Sequence, residues 1–287
     1  MRILILGGTR FIGPVIIKHL LSQGWECTTF SRSGKNTFSN VSTILGDRNN
    51  PQDIKKIDPA KYDVIIDTCA YNLLNLQNIA NIINNTNHYI FISTAAVYKT
   101  TTETTALKEN SPRGRNEYFE DYGTNKIACE DFLLDESLKS RITILRPTYI
   151  LGPNNPYYRE EYFFDGIQKD KSIKIPRESK VNASFVDVND VAEIILRTIK
   201  TAPITENPKI YNVANDIPIS YKTLAELCLQ ATNKTASIVE QENPLKFPFP
   251  SISLSIDVSK VKSELNVELT PTLQTLRRAW AAYIEKA

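Results

Sequence analysis

The sequence is poor in the residues that build disulfide frames, metal centres and membrane spans. Its four cysteines are scattered and form no CxxC pair: Cys27, Cys69, Cys129 and Cys228. This distribution indicates reduced thiols in a cytoplasmic protein. The only histidines are His19 and His88, too few for metal-dependent hydrolysis, so we expect no metal site. The longest early apolar run, residues 3–6, stops at Gly7 and is too short for a signal-peptide core or a membrane span.

Neither sign of charge dominates. Lys and Arg number 34 and Asp and Glu 32, which leaves a formal net charge of +2. A chain this close to neutral is not expected to bind nucleic acid or acidic membranes as its main activity. Its 287 residues, 41% hydrophobic and 23% charged, are enough for one large soluble domain, or one domain with a small companion.

The first half of the chain alternates short apolar runs with amphipathic stretches. The apolar runs, several rich in β-branched residues, predict strands at 3–6, 28–30, 43–45, 64–66, 89–92 and 142–145. The amphipathic stretches predict helices at 11–22, 73–84 and 122–138. This alternation predicts an α/β fold, a Rossmann-type doubly wound parallel sheet.

Beyond about residue 152 the prolines cluster and the alternation ends. A strand at 184–188, a helix at 191–199 and a strand at 211–213 are still predicted. We therefore expect a dinucleotide-binding domain over residues 1–152, its sheet completed by part of 184–215. A smaller C-terminal substrate-binding region would then occupy most of 153–287.

A glycine-rich turn, GGTRFIG at 7–13, follows the first predicted strand and opens the first helix. Such a turn lets backbone N–H groups and the positive helix end face a pyrophosphate. Gly7 permits the sharp turn and Gly13 lets helix and strand pack closely. A turn without a ligand is the alternative, but its position between strand and helix favours a dinucleotide site. The predicted cofactor residues here are Gly7, Thr9, Arg10, Phe11, Ile12 and Gly13.

Basic residues stand where NAD-binding proteins usually place an acid. The second strand runs into Ser31 and Arg32 with no carboxylate, and Arg32 can pair with a ribose 2′-phosphate. Arg10 replaces the middle glycine of a GxxGxxG pattern and can lie against the adenosine. These residues favour NADP over NAD, unless both arginines are simple surface residues. Asp47, after the third strand, can contact the adenine amino group or cap its own loop.

A tyrosine and a lysine four residues apart open the third long helix, and this spacing puts Tyr122 and Lys126 on one helix face. An ammonium beside a phenol favours the phenolate and lowers its pKa, which suits proton exchange with a carbonyl or alcohol during hydride transfer. A hydroxyl at a strand end completes such a site. Ser93 and Thr94 both qualify, and we favour Thr94 as the partner of the substrate hydroxyl.

Five segments together resemble the extended short-chain dehydrogenase/reductase family, the NAD(P)-dependent epimerases, dehydratases and reductases of nucleotide sugars. They are GGTRFIG at 7–13, ISTAAVY at 92–98, YGTNKIACE at 122–130, LRPTYILGP at 145–153 and SFVDVNDVA at 184–192. By this resemblance Thr94, Tyr122 and Lys126 form the catalytic triad. It also implies a homodimer through a bundle that includes the Tyr–Lys helix, with Ile127, Phe132, Leu133 and Leu134 as compatible apolar residues. The cofactor cradle implied by the resemblance adds Cys69, Ala70, Tyr71, Ser93, Pro147 and Tyr149.

Several positions depart from the family pattern. Ala95 and Ala96 replace the Asp-Glu pair of many 4,6-dehydratases, which disfavours that activity. Tyr149 stands at the usual asparagine of the RxxNxxGP pattern, and Ala183 replaces an arginine that often grips the substrate diphosphate. Tyr149 and Lys180 are the remaining candidates for substrate contact. The glycine loop and RPTYI look more like a side branch that includes uncharacterised bacterial reductases and chloroplast stem-loop RNA-binding proteins.

The sequence therefore predicts an NAD(P)-dependent oxidoreductase or epimerase acting on a carbonyl or secondary alcohol, most naturally of a nucleotide-activated sugar. Reductase and epimerase share this machinery, and the choice stays open. The alternative is a non-catalytic NADP-sensing or RNA-binding protein on the same fold. It predicts loss of the Tyr–Lys pair or a concentrated basic face, and the sequence has neither.

Overall fold

The computed structural model describes residues 1–34, 38–99, 105–116, 118–177, 181–201 and 207–286. Lys180, a predicted substrate residue, lies outside them. The strands of the described residues are β1 (Arg2–Leu6), β2 (Glu26–Ser31), β3 (Ser42–Leu45), β4 (Val64–Asp67), β5 (His88–Ile92), β6 (Arg141–Pro147), β7 (Tyr149–Leu151), β8 (Ser172–Pro176), β9 (Asn182–Ala183), β10 (Phe185–Asp187), β11 (Lys209–Val213), β12 (Ile219–Ser220) and β13 (Ser237–Gln241). The α-helices are α1 (Ile12–Leu21), α2 (Pro51–Ile54), α3 (Leu73–Gln77), α4 (Ala80–Asn84), α5 (Glu120–Leu133), α6 (Glu160–Asp165), α7 (Val188–Lys200), α8 (Tyr221–Thr232), α9 (Ser259–Leu265) and α10 (Thr272–Lys286).

Seven strands form one parallel sheet in the order β3, β2, β1, β4, β5, β6, β11. Its central strands are apolar on both sides because helices cover both faces, and β1 is buried from Ile3 to Leu6. The strand order reverses at β1, which pairs with both β2 and β4. The crevice at the carboxyl ends of such neighbouring strands is where open α/β sheets bind ligands. The predicted Rossmann-type α/β fold is confirmed.

Two separate apolar cores flank the sheet. One joins the α1 and α7 side to the C-terminal part of the chain and includes Ile16, Leu20, Val191 and Ile195. The other lies under α3, α4 and α5 and includes Leu76, Ile83, Cys129 and Leu133. Leu133 is fully buried within the chain, so its assignment to a dimer surface was wrong. The dimer itself stays a prediction.

Two predicted helices differ in extent from those of the structure. The segment 73–84 forms two short helices, because Ile79 leaves the helical backbone (φ −114°, ψ 16°) and buries its side chain between them. Helix α5 ends at Leu133, well before residue 138. There Asp135 bends the chain into a turn by accepting hydrogen bonds from the N–H groups of Ser137 and Leu138.

The C-terminal part adds three short two-stranded sheets, β7 with β10, β8 with β13 and β9 with β12. A cluster of aromatic rings fills the space among them, with neighbouring centroids about 5–6 Å apart. Its members include Tyr149, Phe163, Phe185, Tyr221, Phe247 and Phe249. This cluster anchors β7 and the loop after it beside the carboxyl edge of the main sheet. Among the described residues, no helix is long and apolar enough to cross a membrane.

Candidate active site

The turn after β1 is shaped by the absence of side chains. Gly7 has φ +92°, and a Cβ there would meet the Thr68 hydroxyl at 2.5 Å. A Cβ on Gly13 would lie 2.3 Å from the backbone of Gly8, so the first turn of α1 packs directly against the glycine-rich turn. Helix α1 has no side-chain cap and no acid in its first turn. Its amino end therefore keeps the partial positive charge that favours an anion.

The end of β2 carries the predicted selectivity residues. Ser31 is 8% exposed, and its hydroxyl has no hydrogen-bond partner among the described residues. Arg32 beside it is exposed and forms no ion pair with a described residue. Asp47, in the next loop, accepts a hydrogen bond from the N–H of Asn49 at 2.9 Å and thus caps its own turn. A buried hydroxyl without a partner and an uncommitted guanidinium leave polar groups available to a ligand.

The loop after β4 rests on a buried ion pair that sequence reasoning missed. Arg48 donates to both carboxylate oxygens of Asp67 at 2.8 Å, and Tyr89 donates to the same carboxylate at 2.6 Å. The N–H groups of Cys69 and Ala70 also donate to Asp67, at 3.0 Å each. The backbone N–H groups of Cys69 and Ala70, two predicted cofactor residues, are therefore used inside the protein by Asp67. The one available signal was a charged residue at the end of the apolar run 64–66.

Three predicted catalytic residues come together at the end of β5. Thr94 begins the 3₁₀ turn Ala95–Val97 and accepts the N–H of Ala96 at 3.1 Å. Its side chain also lies near enough to Tyr122 to lower the pKa of that phenol. Helix α5 comes this close because Gly123 has no side chain, since a Cβ there would lie 2.5 Å from the carbonyl oxygen of Ala96. Ser93, the competing hydroxyl, is buried and donates instead to Glu130 at 2.6 Å.

Lys126 lies buried behind the phenol. Its ammonium donates to the carbonyl of Ile92 at 2.7 Å and lies 4.5 Å from the centre of the Phe91 ring and 6.0 Å from that of Tyr122. Burial lowers the pKa of Lys126 to about 8, against the opposing effect of Asp67. Although 42% of Tyr122 is exposed, desolvation of its hydroxyl raises the pKa to about 12, and the neighbouring Thr94 hydroxyl opposes that rise. The expected lowering of this pKa by the ammonium was therefore wrong, because burial of the hydroxyl outweighs the nearby charge.

A second buried network fixes α5 against the sheet. Glu130 is fully buried. Its carboxylate accepts hydrogen bonds from Nε of Arg146 at 3.0 Å, from Nη2 of Arg146 at 2.7 Å and from Arg113 at 3.1 Å. Arg146 also binds the hydroxyl of Tyr98, which donates to Asn212. The network couples α5 to β5, β6 and β11, so the register of Tyr122 and Lys126 over the strand ends is held by fully partnered charges.

The remaining predicted residues line the opposite side of the crevice. Pro147 ends β6, and Tyr149 begins β7 with 5% exposure and a hydroxyl that has no partner among the described residues. Tyr71 is half exposed and interacts electrostatically with Arg10 and Tyr157. Tyr157 and Arg159, which sequence reasoning missed, interact in the same way with the Tyr122 hydroxyl. The sequence feature that could have pointed to them is the Tyr-Tyr-Arg run that follows GPNNP at 152–156.

Comparison with known proteins places this fold and site in a family. The model of the NAD dependent epimerase/dehydratase family matches residues 3–214. The chain is 25% identical, over 267 residues, to the chloroplast stem-loop binding protein of 41 kDa b of Arabidopsis thaliana, covering 86% of this chain and 68% of that protein.

Two solved structures share the fold across nearly their whole length. One is WbmH of Bordetella bronchiseptica in complex with NAD⁺, with a TM-score of 0.82, 18% identity and coverage of 99% of this chain and 98% of that one. The other is UDP-glucose 4-epimerase of Thermotoga maritima with UDP-glucose, with a TM-score of 0.83, 16% identity and coverage of 100% and 99%. The resemblance found in the sequence motifs is confirmed, and the chain belongs to the NAD-dependent epimerase/dehydratase family.

Proposed function

We propose that this protein is an NAD(P)-dependent oxidoreductase or epimerase that acts on a secondary alcohol or carbonyl of a nucleotide-activated sugar. The observation that carries the proposal is the meeting of Thr94, Tyr122 and Lys126 at the carboxyl end of β5, where Thr94 influences the pKa of the phenol and the Lys126 ammonium lies buried 6.0 Å from the centre of its ring. A phenol near a hydroxyl and a buried ammonium can exchange a proton at the edge where parallel sheets bind ligands.

The residues around the crevice fit a dinucleotide. The uncapped end of α1 and the close turn at Gly7 and Gly13 would hold its pyrophosphate, and the unpartnered hydroxyls of Ser31 and Thr148 would gain hydrogen bonds from it. When bound, its nicotinamide ring supplies or accepts the hydride at the substrate carbon. Arg10, Phe11 and Ile12 line the same turn, and Cys69, Ala70, Tyr71 and Pro147 complete the predicted cradle.

Each catalytic side chain has one task in this proposal. Tyr122 gives a proton to the substrate oxygen during reduction and removes it during oxidation. Thr94 hydrogen-bonds the same oxygen, and the buried Lys126 ammonium would stabilise the phenolate that forms when the proton leaves. Because the pKa of Tyr122 is about 12 in this structure, the phenol holds its proton at neutral pH and is ready to donate it.

The cofactor preference we propose is NADP. Arg32 is exposed, unpaired among the described residues and adjacent to the unpartnered Ser31 hydroxyl at the end of β2. Arg32→Ala should weaken NADPH binding about tenfold to a hundredfold and NADH binding by less than threefold, because only NADPH carries the 2′-phosphate. Arg2→Ala, at the opposite edge of the sheet, is the matched control. Equal losses for the two cofactors in calorimetry would reject the preference.

The proposed activity is tested by thermal shift and by turnover. Nucleotide sugars carrying uridine or thymidine diphosphate are added with NADPH, NADH or the oxidised cofactors, because a ligand bound by the native state raises the melting temperature. We expect one sugar to raise it further than cofactor alone and to be epimerised or reduced. Failure of every pair to raise the melting temperature or turn over would overturn the proposal.

Stem-loop RNA binding is the competing function, favoured by the 25% identity to the Arabidopsis stem-loop binding protein. It would rest on phosphate contacts, so its affinity must fall steeply with salt. We expect no such binding, since Lys and Arg exceed Asp and Glu by only two residues. Tight, salt-sensitive binding of a stem-loop without any turnover of NADPH would establish the competing function instead.

A further inference from the structure

Arg159 lies in the loop after β7 and is partly buried between two tyrosines. The centre of its guanidinium is 5.4 Å from the centre of the Tyr149 ring and 5.1 Å from that of Tyr157. Nη1 donates to the carbonyl of Ile150 at 3.1 Å. Tyr149 is buried and Tyr157 is 60% exposed, so the guanidinium lies where the aromatic cluster meets the crevice.

No described carboxylate forms an ion pair with this guanidinium. Its sequence neighbour Glu160 is the nearest candidate, but both oxygens of Glu160 are already engaged. Oε1 accepts the N–H of Gly152, and Oε2 accepts the amide of Asn155 at 2.8 Å. Burial lowers the pKa of Arg159, although Glu160 opposes this. A partly desolvated cation without a direct carboxylate partner costs folding free energy that a bound anion would offset.

The same place holds a second polar atom without a partner. The hydroxyl of Tyr149, buried beneath Arg159, has no hydrogen-bond partner among the described residues. Arg159 and Tyr157 also lie near enough to Tyr122 to influence the pKa of its phenol, which Arg159 lowers and Tyr157 raises. A guanidinium and an unpartnered phenol therefore stand together beside the proton-exchanging group.

We propose that Arg159 binds an anionic group of the substrate, with its planar donors paired to two oxygens and the reacting carbon placed against Tyr122. This inference rests on the proposed function and names the residue that would hold the anion of its substrate. The two oxygens belong either to a carboxylate on the sugar or to the diphosphate, and both suit a guanidinium better than an ammonium.

The test uses cofactor-saturated protein and three probes: UDP, UDP-glucose and UDP-glucuronate. Dissociation constants are measured by calorimetry for the wild type, Arg159→Gln, Arg159→Lys and the control Arg2→Gln, which is exposed at the far edge of the sheet. Arg159→Gln should weaken the probe that carries the recognised anion about tenfold to a hundredfold. Arg159→Lys should lie between Gln and wild type, because it keeps the charge and loses the paired donors.

The pattern of losses identifies the anion. Loss for UDP-glucuronate alone assigns Arg159 to a sugar carboxylate, and equal loss for all three probes with cofactor affinity unchanged assigns it to the diphosphate. If Arg159→Gln does not fold, Arg159→Lys carries the test, since a purely structural role would weaken cofactor binding and lower the melting temperature together with probe binding.

Unchanged affinity for all three probes, in variants that fold, would overturn the inference while leaving the proposed function intact. A wild type that binds its cofactor and none of the probes, and turns over no nucleotide sugar, would overturn the proposed function and the inference with it.

Discussion

The two sides of the Tyr122 hydroxyl are built in different ways. On the sheet side, hydrogen bonds to the backbone at the end of β5 hold Thr94 and Lys126, and the buried Glu130 network holds the helix that carries Tyr122. On the loop side, Tyr149, Tyr157 and Arg159 pack through ring and cation–π contacts and keep polar groups without partners. The difference suits a division of labour: a preorganised side performs chemistry, and a side with unmet hydrogen bonds selects the ligand.

Removing the phenol oxygen of Tyr122 should have the largest effect of any single change. Tyr122→Phe should lower kcat about 10³-fold, since it deletes the proton-exchanging group, and should leave cofactor affinity within a few-fold. Tyr62→Phe, at the amino edge of the sheet before β4, is the control. Steady-state kinetics and cofactor titration check both, and a variant that keeps more than a tenth of wild-type kcat would deny the sheet side its catalytic role.

The buried charge of Lys126 should cost stability. Its pKa is about 8 in the folded chain and 10.5 ordinarily, so below pH 8 the folded state holds a charge it disfavours. Lys126→Met should therefore raise the free energy of unfolding by about 1–3 kcal/mol at pH 7, while abolishing turnover. The gain should shrink as pH rises from 8 towards 10.5, because the folded wild type then loses the disfavoured charge while the unfolded chain keeps its proton up to its pKa of 10.5.

Urea unfolding of Lys126→Met and wild type at pH 7, 8 and 9.5 measures this difference, with the exposed Lys18→Met as the control. A difference that stays constant with pH, or a variant less stable than the wild type at pH 7, would show that the sheet side does not sacrifice stability for its charge.

The smallest expected effect comes from removing single buried tyrosine hydroxyls, one without a hydrogen-bond partner among the described residues and one with two. Tyr149→Phe removes a buried hydroxyl that has no partner and should change the free energy of unfolding by less than about 1 kcal/mol, towards greater stability. Tyr98→Phe removes a hydroxyl bound to Asn212 at 2.6 Å and to Arg146 at 3.0 Å and should cost about 1–3 kcal/mol. Equal destabilisation of both variants by denaturant would contradict the distinction between the two sides.

Local pattern was sufficient for the seven strands of the main sheet, the glycine turn and the Tyr–Lys spacing, because each depends on neighbours within a few residues. Local pattern failed at two places. At Ile79 the helix breaks because that side chain is buried, and after Leu133 helix α5 ends because Asp135 forms a turn. The sequence favoured Thr94 over Ser93 but did not show why Ser93 is not available. Ser93 donates its hydrogen bond to Glu130, which is 37 residues away in the chain and is brought near by the tertiary structure.

The sequence by itself determined the parallel sheet and the glycine-rich turn and named the residues that we propose exchange the proton, since these follow from periodicity and short spacings. Only the tertiary structure decided which polar groups are satisfied: Arg48 on Asp67, Arg146 on Glu130, and Arg159 and Tyr149 left over beside Tyr122. Whether a charge has a partner depends on residues distant in the chain that packing brings within about 3 Å, and no local pattern encodes that distance.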